Sequence, residues 1–378
     1  MKFSCILCSL AIASSLYSVS SFAKTEVSLL HTYDIPTGTL LDGYTIKGTS
    51  KTDVKTKEIG GLSGIVMTSP TEFIALTDAR SRPDEGLSRF YKGSFSKDYS
   101  AISIDESVIL KNDKNQPYAS NAKDPESIAL LPNGSLVWGS EGSHTLINTD
   151  TNGKFIKDFS SLLPSYFLGD GKASGLRKNQ SFEGMSLSPD GSALFVAAES
   201  ALAQDGSVST TEIPSAARIL KFAVDKNSNL KLVSEYTYIV DRINVQSNFG
   251  IHDNGISEIL AINNNKLLVM ERNGYAVKKG FCCFNFNVNV FKADLSKATN
   301  ILGTENISSQ DAPNPISPAS KELVFNFGDF VKNQQNYEGL AFGPKINGKD
   351  TLLFAADNNF QSHQKTQLVL MSVTGLED

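Results

Sequence analysis

The sequence is poor in the residues on which most recognisable catalytic centres are built. Histidine occurs four times, at His31, His144, His252 and His363, and never in the HExxH spacing of a zinc hydrolase. No GxSxG elbow is present, since GLSG from Gly61 lacks the second spacing, and no Gly-rich phosphate loop of the GxGxxG or GxxxxGK[ST] type occurs. Two of the four cysteines, Cys5 and Cys8, fall in the first few residues, too early and in the wrong context for lipid attachment. The other two, Cys282 and Cys283, are adjacent. Outside the opening segment, where Cys5 and Cys8 fall, there is no CxxC or Cys/His cluster, so a zinc site is not expected, and neighbouring cysteines cannot staple distant segments. They form either a strained vicinal disulfide or two reduced residues of one strand.

Basic residues are not in surplus: 35 Lys and Arg stand against 40 Asp and Glu. That balance excludes a general nucleic-acid or anionic-membrane binder, which needs dense basic patches. After the first 23 residues no apolar run reaches the roughly 18 residues of a transmembrane helix, and long amphipathic helical patterns are missing. The opening stretch, with Lys2 before apolar Ile6 to Val19 and a small-residue Ser21-Phe22-Ala23 site, reads as a secretory signal peptide cleaved near Ala23. The expectation is a periplasmic or secreted monomer, residues 24–378 forming a single domain.

What is present is a repeated acidic phrase. Its copies are GLSGIVMTSPTEFIALTD from Gly61, DPESIALLPNGSLVWGSE from Asp124, SFEGMSLSPDGSALFVAAE from Ser181, GISEILAINNNKLLVME from Gly255 and NYEGLAFGPKINGKDTLLFAAD from Asn336. Each is an apolar run, a turn rich in Pro, Asn, Asp or Gly, and a second apolar run ending in a carboxylate, which spells a β-hairpin. Aligned on the first acid, Ser63, Glu126, Glu183, Glu258 and Glu338 recur at spacings wide enough for four short strands each. Short alternating strands repeating at this period predict an all-β fold, a β-propeller of five countable blades with a sixth possible. The last repeat has room for three strands, so an N-terminal segment, VSLLHTYDI or the one around TLLDGYTIKGT, is expected to complete that blade and close the ring. In the second repeat the strands fall near 126–131, 135–140, 144–149 and 153–158. Two insertions, Ala203 to Ala217 and Ser296 to Ser320, are either loops overhanging a site or tolerated surface loops.

In a hairpin the start of the first strand and the end of the second lie at one sheet edge, so the acids pair there. Glu126 goes with Glu141, Glu183 with Glu199, Glu258 with Glu271, and Glu338 with Asp357, while Asp78 stands with Ser63 in the first repeat. A propeller turns these edges toward one mouth. Carboxylates so close repel unless cations intervene, and Ca²⁺ favours such oxygen ligands. Arg80, Arg177 and Arg272 stand near acids in sequence, and a guanidinium binds carboxylate or phosphate. His144 and His252 are candidate proton donors. The competing reading is that acids and arginines lock blades together as buried ion pairs.

The ordered set GLSGI, ALTDAR, SRFY, DPESIALLPNG with GSEG, RKNQSFEGMSLSPDG, ARILKF, LLVMERNGY, NYEGLAF, AADNNF and TQLVL resembles the esterase-like activity of phytase family over most of the chain. The CCFNF stretch after ERNG departs from it. The resemblance implies a phytase-like propeller hydrolysing phosphate esters with calcium. By position it carries over Asp78, Arg80, Glu126, Glu141, Glu183, Glu199, Glu258, Glu271, Arg272, Glu338, Asp357 and Asn358. The expected roles are Asp78, Glu141, Glu199, Glu258, Glu271, Glu338 and Asp357 as metal ligands, Glu126 and Glu183 as catalytic, and Arg80, Arg272 and Asn358, with Arg177 from its place six residues before Glu183, as substrate-binding. The substrate is then a small phosphorylated or ester molecule. A non-catalytic ligand- or protein-binding propeller, or a calcium-dependent lactonase or carboxylic esterase, are the alternatives.

Overall fold

A computed structural model describes residues 25–41, 55–279 and 283–376. The segment expected to be a signal peptide, most of the TLLDGYTIKGT segment and Cys282 lie outside the described residues, and with Cys282 the question of a vicinal disulfide. Five four-stranded antiparallel sheets follow one another along the chain. Blade I comprises β2 (Leu62–Met67), β3 (Glu72–Thr77), β4 (Arg89–Phe95) and β5 (Ile102–Ile109). Blade II holds β6 (Pro125–Leu130), β7 (Leu136–Ser140), β8 (Thr145–Thr149) and β9 (Phe155–Asp158), each boundary within two residues of its expected place. Blade III holds β10 (Phe182–Leu187), β11 (Ala193–Ala201), β12 (Ser215–Val224) and β13 (Leu230–Val240). Blade IV holds β14 (His252–Ala261), β15 (Lys266–Ala276), β16 (Phe284–Asp294) and β17 (Ser320–Asn326).

Blade V takes β18 (Asn336–Phe342), β19 (Asp350–Asp357) and β20 (Thr366–Thr374), then borrows β1 (Glu26–Ile35) as its outer strand. β1 pairs antiparallel with β20 from Glu26 opposite Thr374 to Ile35 opposite Thr366. The fold is thus a five-bladed β-propeller closed by VSLLHTYDI; no sixth blade occurs among the described residues.

The core is five apolar layers, one between each pair of neighbouring blades. Period-two alternation feeds them: along β3, Phe73 and Ala75 enter the layer shared with blade V, while Ile74 and Leu76 enter the one shared with blade II. The innermost strands, β2, β6, β10, β14 and β18, pack side by side round the axis. Small residues permit that approach: a methyl added at Gly64 would stand 3.0 Å from Ile128 Cγ2, and one at Gly184 3.0 Å from the Ile259 nitrogen. At the end of the channel away from the acids, these strands finish in Met67, Leu130, Leu187 and Phe342 around an apolar cavity of about 240 Å³.

The two insertions behave differently. Residues 203–214 leave β11 at the acidic end and send Asp205 inward to Arg218. The segment from Ser296 leaves β16 at the opposite end and is strapped along β13, with Ile301 and Ala319 donating to the carbonyls of Glu235 and Thr237. It therefore braces blade III from outside.

Candidate metal centre

Every first strand carries a β-bulge near its start, with the register shifting between Leu62 and Gly64, Pro125 and Ser127, Phe182 and Gly184, Ile256 and Glu258, and Tyr337 and Gly339. A bulge inserts one residue and re-aims its side chain. The inserted residues are Ser63, Glu126, Glu183, Ser257 and Glu338. Opposite, the rim positions of the second strands are Asp78, Glu141, Glu199, Arg272 and Asp357. The backbone nitrogens of the first three donate to Gly61, Asp124 and Ser181, while Arg272 pairs with Gly255 and Asp357 with Asn336.

Blade IV is therefore one residue out of step with the acid-to-acid alignment. Its rim residues are Ser257 and Arg272, and Glu258 and Glu271 each sit one place further in. Glu258 is buried alone, accepting from the nitrogens of Met185 at 2.8 Å and Ile259 at 2.9 Å, and burial raises its pKa with no neighbouring carboxylate contributing. Glu271 faces blade III, where it is bonded by Tyr238 Oη at 2.7 Å, Lys321 Nζ at 2.6 Å and the Asp241 nitrogen at 2.9 Å. Neither joins the acids at the mouth.

The acids that do converge are Asp78, Glu126, Glu141, Glu183, Glu199, Glu338 and Asp357, together with Asp124, which the sequence reading passed over. Asp124 precedes the bulge of blade II, and its signal was the DPE triplet. None of the eight is more than 8% exposed. Single oxygens of Asp124, Glu126 and Glu141 lie within 4.8 Å of one another, and so do those of Glu141, Glu183 and Glu199. Glu141 belongs to both groups. Two oxygens, Asp78 Oδ1 and Asp124 Oδ1, are buried without any hydrogen-bond partner.

Such crowding shifts the titrations upward. Burial, then Asp357 and Glu338, raise Asp78 well above the carboxylate range, and burial followed by Glu183 does the same to Glu126. Glu183 and Asp357 are raised likewise, by burial and by Glu199 and Glu338 respectively. Burial pushes Glu141 up to about 7, although the Ser181 nitrogen bonded to its Oε1 at 3.1 Å opposes the shift. Desolvation and mutual repulsion both disfavour the ionised form, and the two triads could hold a metal ion whose charge would offset them. Gly61 shows how closely the chain is drawn round these groups: its φ is +68°, and a methyl there would fall 2.5 Å from Asp78 Oδ1.

The other candidates divide. Arg80 reaches the edge of the cluster, with Nη1 3.6 Å from Asp124 and Nη2 2.6 Å from Glu85, and a third of its side chain is exposed. Arg177 is spent on the carbonyls of Ala201 and Gly206. Asn358 stitches blade V to blade I, its Oδ1 accepting from the nitrogens of Gly61 and Phe360. Ser63 ties blade I to blade II through a 3.0 Å bond to the Pro125 carbonyl. His144 stands beside the mouth with Nδ1 3.2 Å from Ser181 Oγ, and burial lowers its pKa. His252 accepts from the Ser247 nitrogen at 3.4 Å.

Residues 57–360 match the model of a family described as phytase-like, with esterase-like activity of phytase. No curated protein matches the sequence. Among solved structures, a member of the DUF4221 family from Bacteroides vulgatus is 9% identical over 93% of this chain and 99% of that one, with a TM-score of 0.40. The PQQ-bound aldose sugar dehydrogenase of Streptomyces coelicolor is 11% identical over 93% and 99%, TM-score 0.33. Virginiamycin B lyase of Staphylococcus aureus is 8% identical over 93% and 100%, TM-score 0.31. Among the described residues no helix is long and apolar enough to cross a membrane.

Proposed function

Because the chain belongs to the phytase-like family, we propose that it is an exported, metal-dependent hydrolase of phosphoric esters working at the acidic mouth, with Ca²⁺ as its metal. The observation that carries this reading is the pair of carboxylate triads sharing Glu141, beside two orphaned buried oxygens. An all-oxygen, carboxylate-rich donor set with no imidazole or thiolate suits a hard cation. Asp124, Glu141 and Glu199 of the two triads are the residues that would hold it, with Asp78, Glu338 and Asp357 lining the rest of the mouth. Bound there, Ca²⁺ would polarise a phosphoryl oxygen and lower the pKa of an attacking water.

The rest falls to the chain. Glu126 and Glu183 sit on bulges that aim them at the mouth, where in their ionised form they would take the proton of the attacking water. Arg80, partly exposed and held by Glu85, is placed to receive an anionic ester at the edge of the cluster. The leader-like residues 1–23 support export, to the periplasm or beyond.

Purified protein assayed with EDTA or with added Ca²⁺ against phytate, a phosphodiester, a lactone and a carboxylic ester tests this. Phosphate release that stops in EDTA and returns with calcium is the expected result. Turnover of the lactone or carboxylic ester alone would reassign the reaction, and no turnover despite bound calcium would make the protein a binding propeller. Phosphate release surviving both Glu126→Gln and Glu183→Gln would remove those residues as the base.

A further inference from the structure

Register places Arg272 where the other four blades have Asp78, Glu141, Glu199 and Asp357. It is thus one guanidinium in a ring position otherwise filled by carboxylates. The side chain is only 13% exposed and spans both neighbouring blades. On the blade V side Nη1 is bonded to Glu338 Oε1 and, at 2.9 Å, to Asn336 Oδ1. On the blade III side Nη2 is 3.8 Å from Glu199 Oε1. Gly255, opposite Arg272 on β14, makes room for that approach, because a methyl there would fall 2.7 Å from the same Glu199 oxygen.

We propose that Arg272 is a tethered cation: its guanidinium takes the place of a metal ion between blades III and V, confining metal binding to the carboxylates of blades II and III. This rests on the reading of the mouth as a cation site. The two triads with converging oxygens both lie on blades II and III; Glu338, the acid bonded directly to Arg272, joins neither, and Glu199, 3.8 Å from Nη2, marks where the second triad meets the guanidinium. A guanidinium delivers one positive charge without release or exchange, and its fork spreads that charge over acids of two blades. Arg272 is thereby a positioning residue that sets how many ions the mouth accepts and where. It is not free to grip a substrate, since its donors already face Glu338, Asn336 and Glu199.

The test counts ions. Wild type, Arg272→Gln and Arg272→Lys are dialysed to equilibrium against Ca²⁺, their bound metal is measured, and their thermal midpoints are recorded in EDTA and in Ca²⁺. Arg272→Gln should hold one more Ca²⁺ per chain than wild type and gain more thermal stability from Ca²⁺, while Arg272→Lys keeps the wild-type number. An unchanged number in a folded Arg272→Gln overturns the proposal. So does an Arg272→Gln protein that fails to fold at any calcium concentration, because an ion should replace the lost charge. A wild type without calcium beside an Arg272→Gln that holds one ion would remove the metal-dependent function and leave the role of Arg272 standing. A calcium-loaded wild type and an Arg272→Gln with the same number would do the reverse, and absence of calcium from both would remove both.

Discussion

Blade III contains a second set of buried charges, and it differs from the mouth in one respect. There Arg218 is wholly buried with Asp205 and Glu235, bonding Asp205 at 2.6 and 2.7 Å and Glu235 Oε1 at 2.7 Å. Tyr166 Oη donates to the other Glu235 oxygen at 2.5 Å, and the Ile307 nitrogen adds a bond to Asp205 Oδ1. Two acids there share one guanidinium and a full set of donors. At the mouth eight acids share Arg272 and the edge of Arg80, and two oxygens have no donor at all. Buried charge with its partners built in is a fixture of the fold; buried charge without them is a demand that something from solution must meet.

The largest expected effect lies at the satisfied cluster. Arg218→Ala strands two buried acids and should cost about 3–5 kcal/mol of stability, equally in calcium and in EDTA, measured by urea unfolding. A loss that calcium repairs would erase the distinction between the two regions. Next, Glu141→Gln removes the acid common to both triads, and calcium affinity measured by calorimetry should fall at least about 100-fold. The same substitution should raise the melting temperature of the EDTA-treated protein, because a buried carboxylate under repulsion becomes a neutral amide. Destabilisation in EDTA would mean that Glu141 belongs with the structural charges after all.

The third effect is a pH dependence. A carboxyl whose pKa is raised by folding keeps its proton when the unfolded chain has already lost it. Stability therefore falls as pH rises from the ordinary glutamate value near 4.5 through about 7, the value for Glu141. The melting temperature of the calcium-free protein should decline across that window, and saturating calcium should flatten or invert the slope by favouring the ionised acids. A calcium-free protein with flat stability between those values would place the mouth in the same class as the Arg218 cluster.

The sequence carried the propeller because its signals are local and repeated: each hairpin spells its own strands and turn, and alternation assigns the faces. It misled at blade IV for a definable reason. Matching acid to acid puts Glu258 and Glu271 at the rim, whereas the apolar frame aligns Ile256-Ser257-Glu258-Ile259 with Leu62-Ser63-Gly64-Ile65. Backbone register follows the buried apolar residues, since a one-residue slip would turn every core side chain outward. Had Ile256 been matched to Leu62, Phe182 and Tyr337, Arg272 would have fallen in the ring. The partners of Arg177, two backbone carbonyls, and of Asn358, two backbone N–H groups, were not legible, because main-chain donors and acceptors are supplied by backbone position and leave no mark in residue type. The Arg218 cluster joins residues brought together by an insertion of blade IV, a contact no local pattern announces.

The borrowed strand of blade V has a consequence for the order in which the molecule is made. β1 leaves the ribosome before every other strand of the propeller and its partner β20 after all of them, so the ring has no closed form until the whole propeller has been made. Until then β1 lacks its mate and the growing sheets offer open edges. Closure joins segments far apart along the chain, a slow kind of contact to establish. One strand pair, nine residues of β1 against β20, is therefore the clasp on which the closed ring depends.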